Sequence, residues 1–281
     1  MIKLHDFPDV PKQTIASLNV AVKAAHRAGE IIREGYYQTH LVKEKSHGDL
    51  VSIIDTNCDH AVHEAIRAAY PDDIIFSEEL APNASPVERY WIIDPLDGTS
   101  SYLFRVAPDM PAVMIALCDL AGAILSVVYF PLSDELFYAI RGEGSFDRLR
   151  SLRCETYDLS QAWIDLNQYS DDQYESDAMR ALRVKLRQPG GARLVTSSPP
   201  HSGLSLRITG DKRLAGVIHD NGSEQLKQGP WDVIPIRLIF EEAGGFVCNM
   251  KGRPYDPYRP EPFMMMGSRK LAEQVLMLLE S

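Results

Sequence analysis

The sequence predicts a mixed fold, with an α+β first half and an α/β second half. Two amphipathic helical patterns and five short β-rich runs occupy residues 14–140, whereas strand and helix patterns alternate after residue 150. Asp, Gly and Pro separate the β-rich runs, as turn residues do between strands. We therefore expect a mostly antiparallel sheet covered by two helices, followed by a layer of alternating strands and helices.

The first half opens with apolar residues at steps of three and four from Thr14 to Tyr36, which predicts a long helix capped by Thr14. A strand is expected over Leu50–Ile54. A second helix should follow and end before Pro71, because proline cannot continue a helix. The remaining strands of this half are expected at Ile74–Phe76, Tyr90–Ile93, Ala112–Leu117, Ile124–Phe130 and Leu136–Ile140.

The second half should contain four strands and four helices besides the Met-rich run Phe263–Met266, which reads as a fifth, buried strand. We place a domain boundary near residue 150. This gives an N-terminal α+β domain over residues 1–150 and a C-terminal α/β domain over residues 151–281. The expected elements are strands Trp163–Leu166, Ala192–Thr196, Leu214–His219 and Phe246–Cys248, and helices at Asp172–Leu186, after residue 196, at Pro230–Ala243 and at Leu271–Leu279.

Composition restricts the function. The formal net charge is −10, and this charge opposes binding to a nucleic-acid polymer or to an anionic membrane, because both depend on clustered Lys and Arg. The four cysteines form no C-x-x-C pair, and no run of eighteen apolar residues occurs. We expect a soluble cytoplasmic protein. A small anionic ligand is compatible with the charge, since bound divalent cations reverse the field of an acidic site.

The most informative segment is Ile93-Asp94-Pro95-Leu96-Asp97-Gly98-Thr99. A buried strand ends in Asp94, and Pro95 restricts the backbone so that two carboxylates and the Leu96 carbonyl can converge at a tight turn. Such hard oxygen ligands suit Mg²⁺. A helix beginning after Gly98 would offer backbone amides to a phosphate beside the metal.

Three further acids support this site. Glu78 follows a predicted strand, Asp55 lies where the second helix begins, and Asp232 lies in the first turn of a later helix beside Trp231. Each alone is an ordinary helix N-terminal or solvated acid. Together with Asp94 and Asp97 they form the anionic set that a two-metal phosphatase requires.

These motifs resemble the inositol monophosphatase superfamily, in order and in rough spacing, over nearly the whole chain. The resemblance implies a layered αβαβα sandwich, a homodimer and a lithium-sensitive phosphatase acting on a small phosphate ester. The segments that carry it are Gly48-Asp49-Leu50-Val51-Ser52 with Asp55, Ser77-Glu78-Glu79, Trp91 with Asp94-Pro95-Leu96-Asp97-Gly98-Thr99, and Trp231-Asp232 with Glu242-Ala243-Gly244-Gly245.

The same resemblance implies roles for individual residues. Asp55 with Thr99 would activate the attacking water, and Glu78 would be both catalytic and metal-binding. Two or three Mg²⁺ ions would be held by Glu78, Asp94, the Leu96 carbonyl, Asp97 and Asp232. The expected substrate contacts are Gly98, Thr99, Ser100 and Glu224.

The substrate-side segments depart from the family. Ser100-Ser101-Tyr102 matches neither the inositol-type nor the nucleotide-type sequence, although Ser77 before the acidic pair favours the nucleotide-type branch. The usual Gly-Ser/Thr-Ala element is replaced by residues 196–203, which include His201. The usual small-x-Gly-x-x-Asp segment is not recognisable in residues 210–214. The substrate therefore stays open among inositol monophosphates, 3′(2′),5′-bisphosphate nucleotides and sugar or histidinol phosphates.

The sequence leaves two alternatives, of which the second belongs to a different functional class. His60, His63 and Glu64 share a helical face and could indicate a zinc hydrolase, but their order is neither H-E-x-x-H nor H-x-x-E-H. The second alternative is a catalytically idle relative that only binds a ligand, because a fold by itself does not determine function.

Overall fold

A computed structural model of the chain describes residues 7–38, 42–46, 49–105, 110–148, 150–168, 177–198, 202–209, 214–220, 228–259 and 261–280. Its helices are α1 (Lys12–Gly35), α2 (Ile53–Ala69), α3 (Thr99–Phe104), α4 (Asp177–Leu186), α5 (Pro230–Glu242) and α6 (Arg269–Glu280). Short 3₁₀ helices span Leu159–Gln161 and Ser202–Ile208.

The strands of the first half form a hairpin and one large sheet. The hairpin pairs β1 (Val42–Ser46) with β2 (Asp49–Ser52). The large sheet keeps the strands in chain order, and only its first pair is parallel. Its members are β3 (Ile74–Ser77), β4 (Tyr90–Asp97), β5 (Ala112–Asp119), β6 (Gly122–Phe130), β7 (Glu135–Ile140), β8 (Gly144–Asp147) and β9 (Arg150–Ser151).

The second half contributes a mixed sheet of five described strands in the order β11, β10, β12, β14, β13. Both neighbours of β10 are parallel to it, whereas β14 is antiparallel to both of its neighbours. The strands are β10 (Trp163–Gln168), β11 (Leu194–Ser198), β12 (Leu214–Asp220), β13 (Phe246–Asn249) and β14 (Phe263–Met266).

Alternation along the strands builds a five-layer sandwich, because successive side chains of a strand point to opposite faces. In β5, Val113 and Ile115 belong to the core shared with α1 and α2, whereas Met114 belongs to the core shared with α5. In β14, Met265 faces the α5 layer and Met264 faces α4 and α6. The order of layers is therefore αβαβα, which confirms the predicted fold class.

The core around α5 joins the two halves of the chain. It combines residues of β5–β7 with residues of β12 and β14, and α5 lies between the two sheets. The division into domains 1–150 and 151–281 stays a prediction. The expected buried strand Phe263–Met266 is confirmed, since all four of its side chains are fully buried.

Two expectations about local structure are wrong. Thr14 is not the cap of α1: the N-cap residue is Pro11, and the Thr14 amide donates to the Pro11 carbonyl at 2.9 Å. The strand predicted over Leu50–Ile54 ends at Ser52, because the Ser52 side chain accepts the Ile54 amide and begins α2 there. Strands β1, β8 and β9 were not predicted from the sequence.

Several other features match or extend the expectations. All four cysteines are free thiols. Among the described helices, none combines the length and the apolar character needed to cross a membrane. The predicted helix from residue 172 is described from Asp177, because residues 169–176 lie outside the described ranges.

The contact between α1 and the first sheet gives a stability prediction. A Cβ atom added to Gly29 would lie 2.5 Å from the Tyr129 ring. That ring cannot move freely, because its hydroxyl accepts from Arg33 and donates to Asp134. We expect Gly29→Ala to lower the free energy of unfolding by about 1–3 kcal/mol through overpacking, although alanine favours helices.

Urea denaturation measures this effect, and Glu30→Ala is the matched control. Glu30 is the exposed neighbour of Gly29 on the same helix, so its replacement should change the free energy of unfolding by less than about 0.5 kcal/mol. A Gly29→Ala protein as stable as the wild type would contradict the close approach of α1 to β6.

Candidate active site

A β-bulge places Asp94 and Asp97 on the same side of β4. In a regular strand, residues three apart point to opposite faces. Here Asp94 is opposite Met114 and Asp97 is opposite Ala112, so three steps on β4 correspond to two on β5. The extra residue lies at Pro95 or Leu96, and proline is suited to a bulge because it has no N–H to donate. The predicted tight turn is therefore a bulge inside a strand.

Three carboxylates converge at this bulge. Asp94, Asp97 and Asp232 each offer an oxygen, and these oxygens all lie within 4.8 Å of one another. Asp94 is almost completely buried and Asp97 nearly so, whereas Asp232 is partly exposed. Glu78 acts electrostatically on Asp94 and so lies close to the same cluster.

Helix α5 delivers Asp232 from the second half of the chain. Pro230 begins the helix, and the Gly229 amide donates to Asp232 Oδ2 at 2.5 Å in a capping interaction. One oxygen of Asp232 is thereby engaged at the helix start. Trp231 packs on the apolar cluster of Tyr90 and Ile92, which holds the start of α5 against β4.

The electrostatics of the cluster suit a divalent cation. Burial raises the pKa of Asp94 well above its ordinary value, and the charges of Glu78, Asp97 and Asp232 raise it further. The Leu96 amide, which donates to Asp94 Oδ1 at 3.0 Å, opposes this shift. A site that gathers buried, mutually repelling carboxylate oxygens has the donor set that Mg²⁺ takes. The residues present therefore fit a metal ion.

Asp97 is held by the second half of the chain. Its two carboxylate oxygens accept the amides of Ser202 and Gly203, each at 2.9 Å. A Cβ atom on Gly203 would lie 3.2 Å from Asp97 Oδ2 and 3.0 Å from the Phe130 ring, so glycine permits this approach. Burial raises the pKa of Asp97 to about 6, and the two amides oppose the shift.

Asp55 and Thr99 form the predicted pair. Thr99 Oγ1 lies 2.8 Å from Asp55 Oδ1 and 3.0 Å from the Leu96 carbonyl, to either of which its hydroxyl can donate. Asp55 Oδ2 accepts from the amide and the hydroxyl of Ser52 at 2.8 and 2.7 Å. Burial raises the pKa of Asp55, while the hydrogen bonds from Ser52 and Thr99 oppose the shift.

The expected substrate contacts are only partly described. Gly98 has φ of 80°, a left-handed conformation that favours glycine, and α3 begins immediately after it as predicted. Thr99 and Ser100 are partly exposed beside the cluster. Glu224 and His201 lie outside the described residues.

A polar chain next to Asp97 was not found from the sequence. Gln228 Nε2 donates to Ser202 Oγ at 3.1 Å and lies 3.4 Å from His219 Nδ1, while His219 Nε2 lies 2.9 Å from Ser205 Oγ. Full burial lowers the pKa of His219 to about 3, so the ring is neutral. His219 lies on a strand, β12, that reads as ordinary core, so the sequence contains no signal for this chain of contacts.

The zinc alternative receives no support from the geometry. Among the described His, Cys, Asp and Glu residues, the group close enough to share an ion is Asp94, Asp97 and Asp232. His60, His63 and Glu64 instead line a pocket that α2 forms with Leu80 and Ala81. Glu64 is also paired with Arg27 at 2.8 Å.

Comparison with known proteins identifies the family. The family model described as "Inositol monophosphatase family" matches residues 16–280. The chain belongs to the inositol monophosphatase family. It is 32% identical over 255 residues to "Inositol monophosphatase 3" of Solanum lycopersicum, covering 85% of this chain and 88% of that protein.

Two bacterial relatives extend the comparison. A "Putative Nus factor SuhB" of Neisseria meningitidis serogroup B is 30% identical over 272 residues, covering 94% of this chain and 98% of that protein. The crystal structure of the extragenic suppressor protein suhB of Bartonella henselae superposes with a TM-score of 0.78 at 25% identity, covering 95% and 99% of the two chains. The relatives therefore include a protein named as a phosphatase and proteins named as a Nus factor or as a suppressor protein.

Charge repulsion at the cluster predicts that Asp94→Asn stabilises the metal-free protein at pH 8. An acid whose pKa is raised by folding destabilises the folded state progressively as pH rises above its unfolded pKa of 3.8, and the effect is complete above the folded pKa. We therefore expect the free energy of unfolding of Asp94→Asn to exceed that of the wild type at pH 8, because the variant removes the buried, repelled charge.

Urea denaturation with a chelator present, at pH 8 and near pH 4, tests this prediction. The two proteins should become similar at the lower pH, and Mg²⁺ should stabilise the wild type more than the variant. A metal-free Asp94→Asn protein that is less stable than the wild type at pH 8 would refute the argument.

Proposed function

We propose that the protein hydrolyses a small phosphate monoester with bound Mg²⁺. The observation that carries this proposal is the convergence of Asp94, Asp97 and Asp232 beside the hydrogen-bonded pair of Asp55 and Thr99. Membership of the inositol monophosphatase family supports the reaction class. The chemistry is demanding, because phosphate monoesters are among the slowest compounds to hydrolyse without a catalyst.

Five oxygen donors of this chain would hold two or three Mg²⁺ ions. When bound, Mg²⁺ supplies positive charge that lowers the pKa of a water molecule and stabilises the leaving oxygen. The chain itself contributes a preorganised site, since the bulge and the amides of Ser202 and Gly203 fix the carboxylates before any ligand arrives. The proposed donors are the side chains of Glu78, Asp94, Asp97 and Asp232 and the carbonyl of Leu96.

Thr99 would orient the attacking water. Its hydroxyl proton points to an acceptor, either Asp55 Oδ1 or the Leu96 carbonyl, so a lone pair of Thr99 Oγ1 stays available to accept a hydrogen bond from water. The raised pKa of Asp55 makes its carboxylate a stronger base than an exposed one. The water proton can therefore pass through Thr99 to Asp55.

The amides of Gly98 and Thr99 and the hydroxyl of Ser100 are the proposed phosphate contacts, and Glu224 is the proposed contact to the rest of the substrate. A homodimer is also proposed, by analogy with the family. The name of the 32% identical relative makes an inositol monophosphate the first substrate to test.

The role of Thr99 can be tested with two variants. Thr99→Val keeps the volume but removes the hydroxyl, so kcat should fall by about 10²–10³-fold. Thr99→Ser keeps the hydroxyl and should stay within about tenfold of the wild type. Steady-state phosphate release at saturating Mg²⁺ measures both, and equal activity of the valine variant would exclude a proton path through this residue.

The substrate is identified by a panel of esters. Phosphate release is measured from inositol monophosphates, adenosine 3′,5′-bisphosphate, fructose bisphosphate and histidinol phosphate, with Mg²⁺ and with or without Li⁺. We expect lithium-sensitive hydrolysis of one ester, and none by Asp94→Asn, which controls for contaminating phosphatases. No release from any ester by a protein that binds Mg²⁺ in calorimetry would favour the idle ligand-binding alternative.

A further inference from the structure

The segment that carries Glu78 is a closed turn. Ser77 and Ala81 exchange both of their backbone hydrogen bonds, at 3.1 and 3.2 Å, so residues 78–80 form a loop between two paired positions. The Glu78 amide donates to the Ile93 carbonyl at 3.2 Å, directly before Asp94. The shape of this turn therefore decides where the Glu78 carboxylate lies relative to Asp94.

Asp59, a buried carboxylate that is not among the predicted metal ligands, contacts the turn of residues 78–80. Asp59 of α2 has no solvent exposure, and its Oδ2 accepts the Leu80 amide at 3.0 Å. Burial raises the pKa of Asp59, while the Ser77 hydroxyl, His63 and the amides of the turn oppose this shift. A buried charge is costly unless hydrogen-bond donors surround it, so the donors of the turn are drawn toward Asp59.

His63 fixes the other side of this arrangement. Its Nε2 lies 3.1 Å from Ser77 Oγ and 3.3 Å from Asp59 Oδ1. Nε2 thus faces both oxygens, and the ring bridges Ser77 and Asp59, whose Oδ1 has no hydrogen-bond partner among the described residues. The hydroxyl of Ser77, which stands where the family sequence usually has glycine, is thereby tied to α2.

Helix α2 therefore anchors two parts of the proposed site. Asp55 and Asp59 are four residues apart, one helical turn along the same buried face. Asp55 bonds to Thr99 beside the bulge, and Asp59 bonds to the turn of Glu78. One rigid element thus sets the distance between the water-orienting pair and the Glu78 carboxylate.

We propose that Asp59 is a positioning residue that holds the Glu78 turn in its metal-binding shape, with His63 and Ser77 as its supports. This inference rests on the proposed function, in which Glu78 binds Mg²⁺. Residues that orient metal ligands typically change metal affinity or activity by about 10–100-fold when they are removed.

The test is calorimetric titration of Mg²⁺ into metal-free protein, which measures ligand geometry without any substrate. Asp59→Ala should raise the Mg²⁺ Kd by about 10–100-fold. Asp59→Asn keeps an oxygen for the Leu80 amide and should rescue part of the loss. Ser77→Ala, which leaves the Leu80 bond intact, should raise Kd by less than Asp59→Ala. At saturating Mg²⁺ the kcat of all three should recover toward the wild type.

Asp119→Ala is the matched control. Asp119 also accepts the amide of a tight turn, from Ala121 at 2.8 Å, but at the opposite end of β5 from Ala112, the partner of Asp97. Its loss should leave the Mg²⁺ Kd unchanged. Circular dichroism establishes that each variant is folded, and if Asp59→Ala is not, Asp59→Asn and Ser77→Ala decide the question.

The possible outcomes distinguish failure of the inference about Asp59 from failure of the proposed function. If the wild type binds Mg²⁺ and folded Asp59 and Ser77 variants bind it equally well, Asp59 only stabilises the fold and the inference is wrong. If the wild type binds no Mg²⁺ and hydrolyses no ester, the proposed function itself fails. Weaker binding confined to the Asp59 and Ser77 variants supports the inference.

Discussion

The candidate site depends on one extra residue in β4. Without the bulge between Asp94 and Asp97, the backbone alternation of the strand would send these two carboxylates to opposite faces of the sheet. The bulge lies in a fully buried strand, where a break in the hydrogen-bond ladder is costly. Pro95 lowers this cost, because proline has no backbone N–H that the bulge could leave without an acceptor.

The bulge also explains why both halves of the chain are needed. It presents Asp97 toward the 3₁₀ helix of the second half, where Ser202 and Gly203 supply two amides. It presents Asp94 toward Asp232, which α5 carries to the same place. Because α5 packs between the two sheets, the apolar core around it sets the distance between carboxylates that originate far apart in the sequence.

The sequence predicted those parts of the fold that depend on periodicity and on local punctuation. Strands β3–β7 of the large sheet, helix α5 and the buried strand Phe263–Met266 were predicted because alternation, Pro230 and uninterrupted apolar residues are strong local signals. The convergence of Asp94, Asp97 and Asp232 was expected from similar signals, since the first two share one continuous motif and the third begins a helix, and their role as metal ligands stays a prediction. Errors occurred where the signal is weak: Thr14 resembles a cap, but the chain already turns into α1 at Pro11.

The contacts that organise the site could not be predicted, because they join distant segments through backbone amides or buried charges. Nothing in the residues 196–203 indicates that the amides of Ser202 and Gly203 bind Asp97, since every amide looks alike in a sequence. His219 lies on a strand that reads as ordinary core, and its bond to Ser205 exists only after the strand and the 3₁₀ helix pack together.

The role of Asp59 also depends on a contact with a distant segment, and its burial in the structure is the feature that indicates this role. In the sequence it is one more acid on an amphipathic helix, for which solvent exposure is the ordinary expectation. In the structure it is fully buried one turn after Asp55, and a buried carboxylate needs donors that only another segment can supply. One of those donors is the Leu80 amide, which belongs to the turn that carries Glu78. A buried acid that the reaction itself does not use thus identifies the element that holds a proposed metal ligand in place.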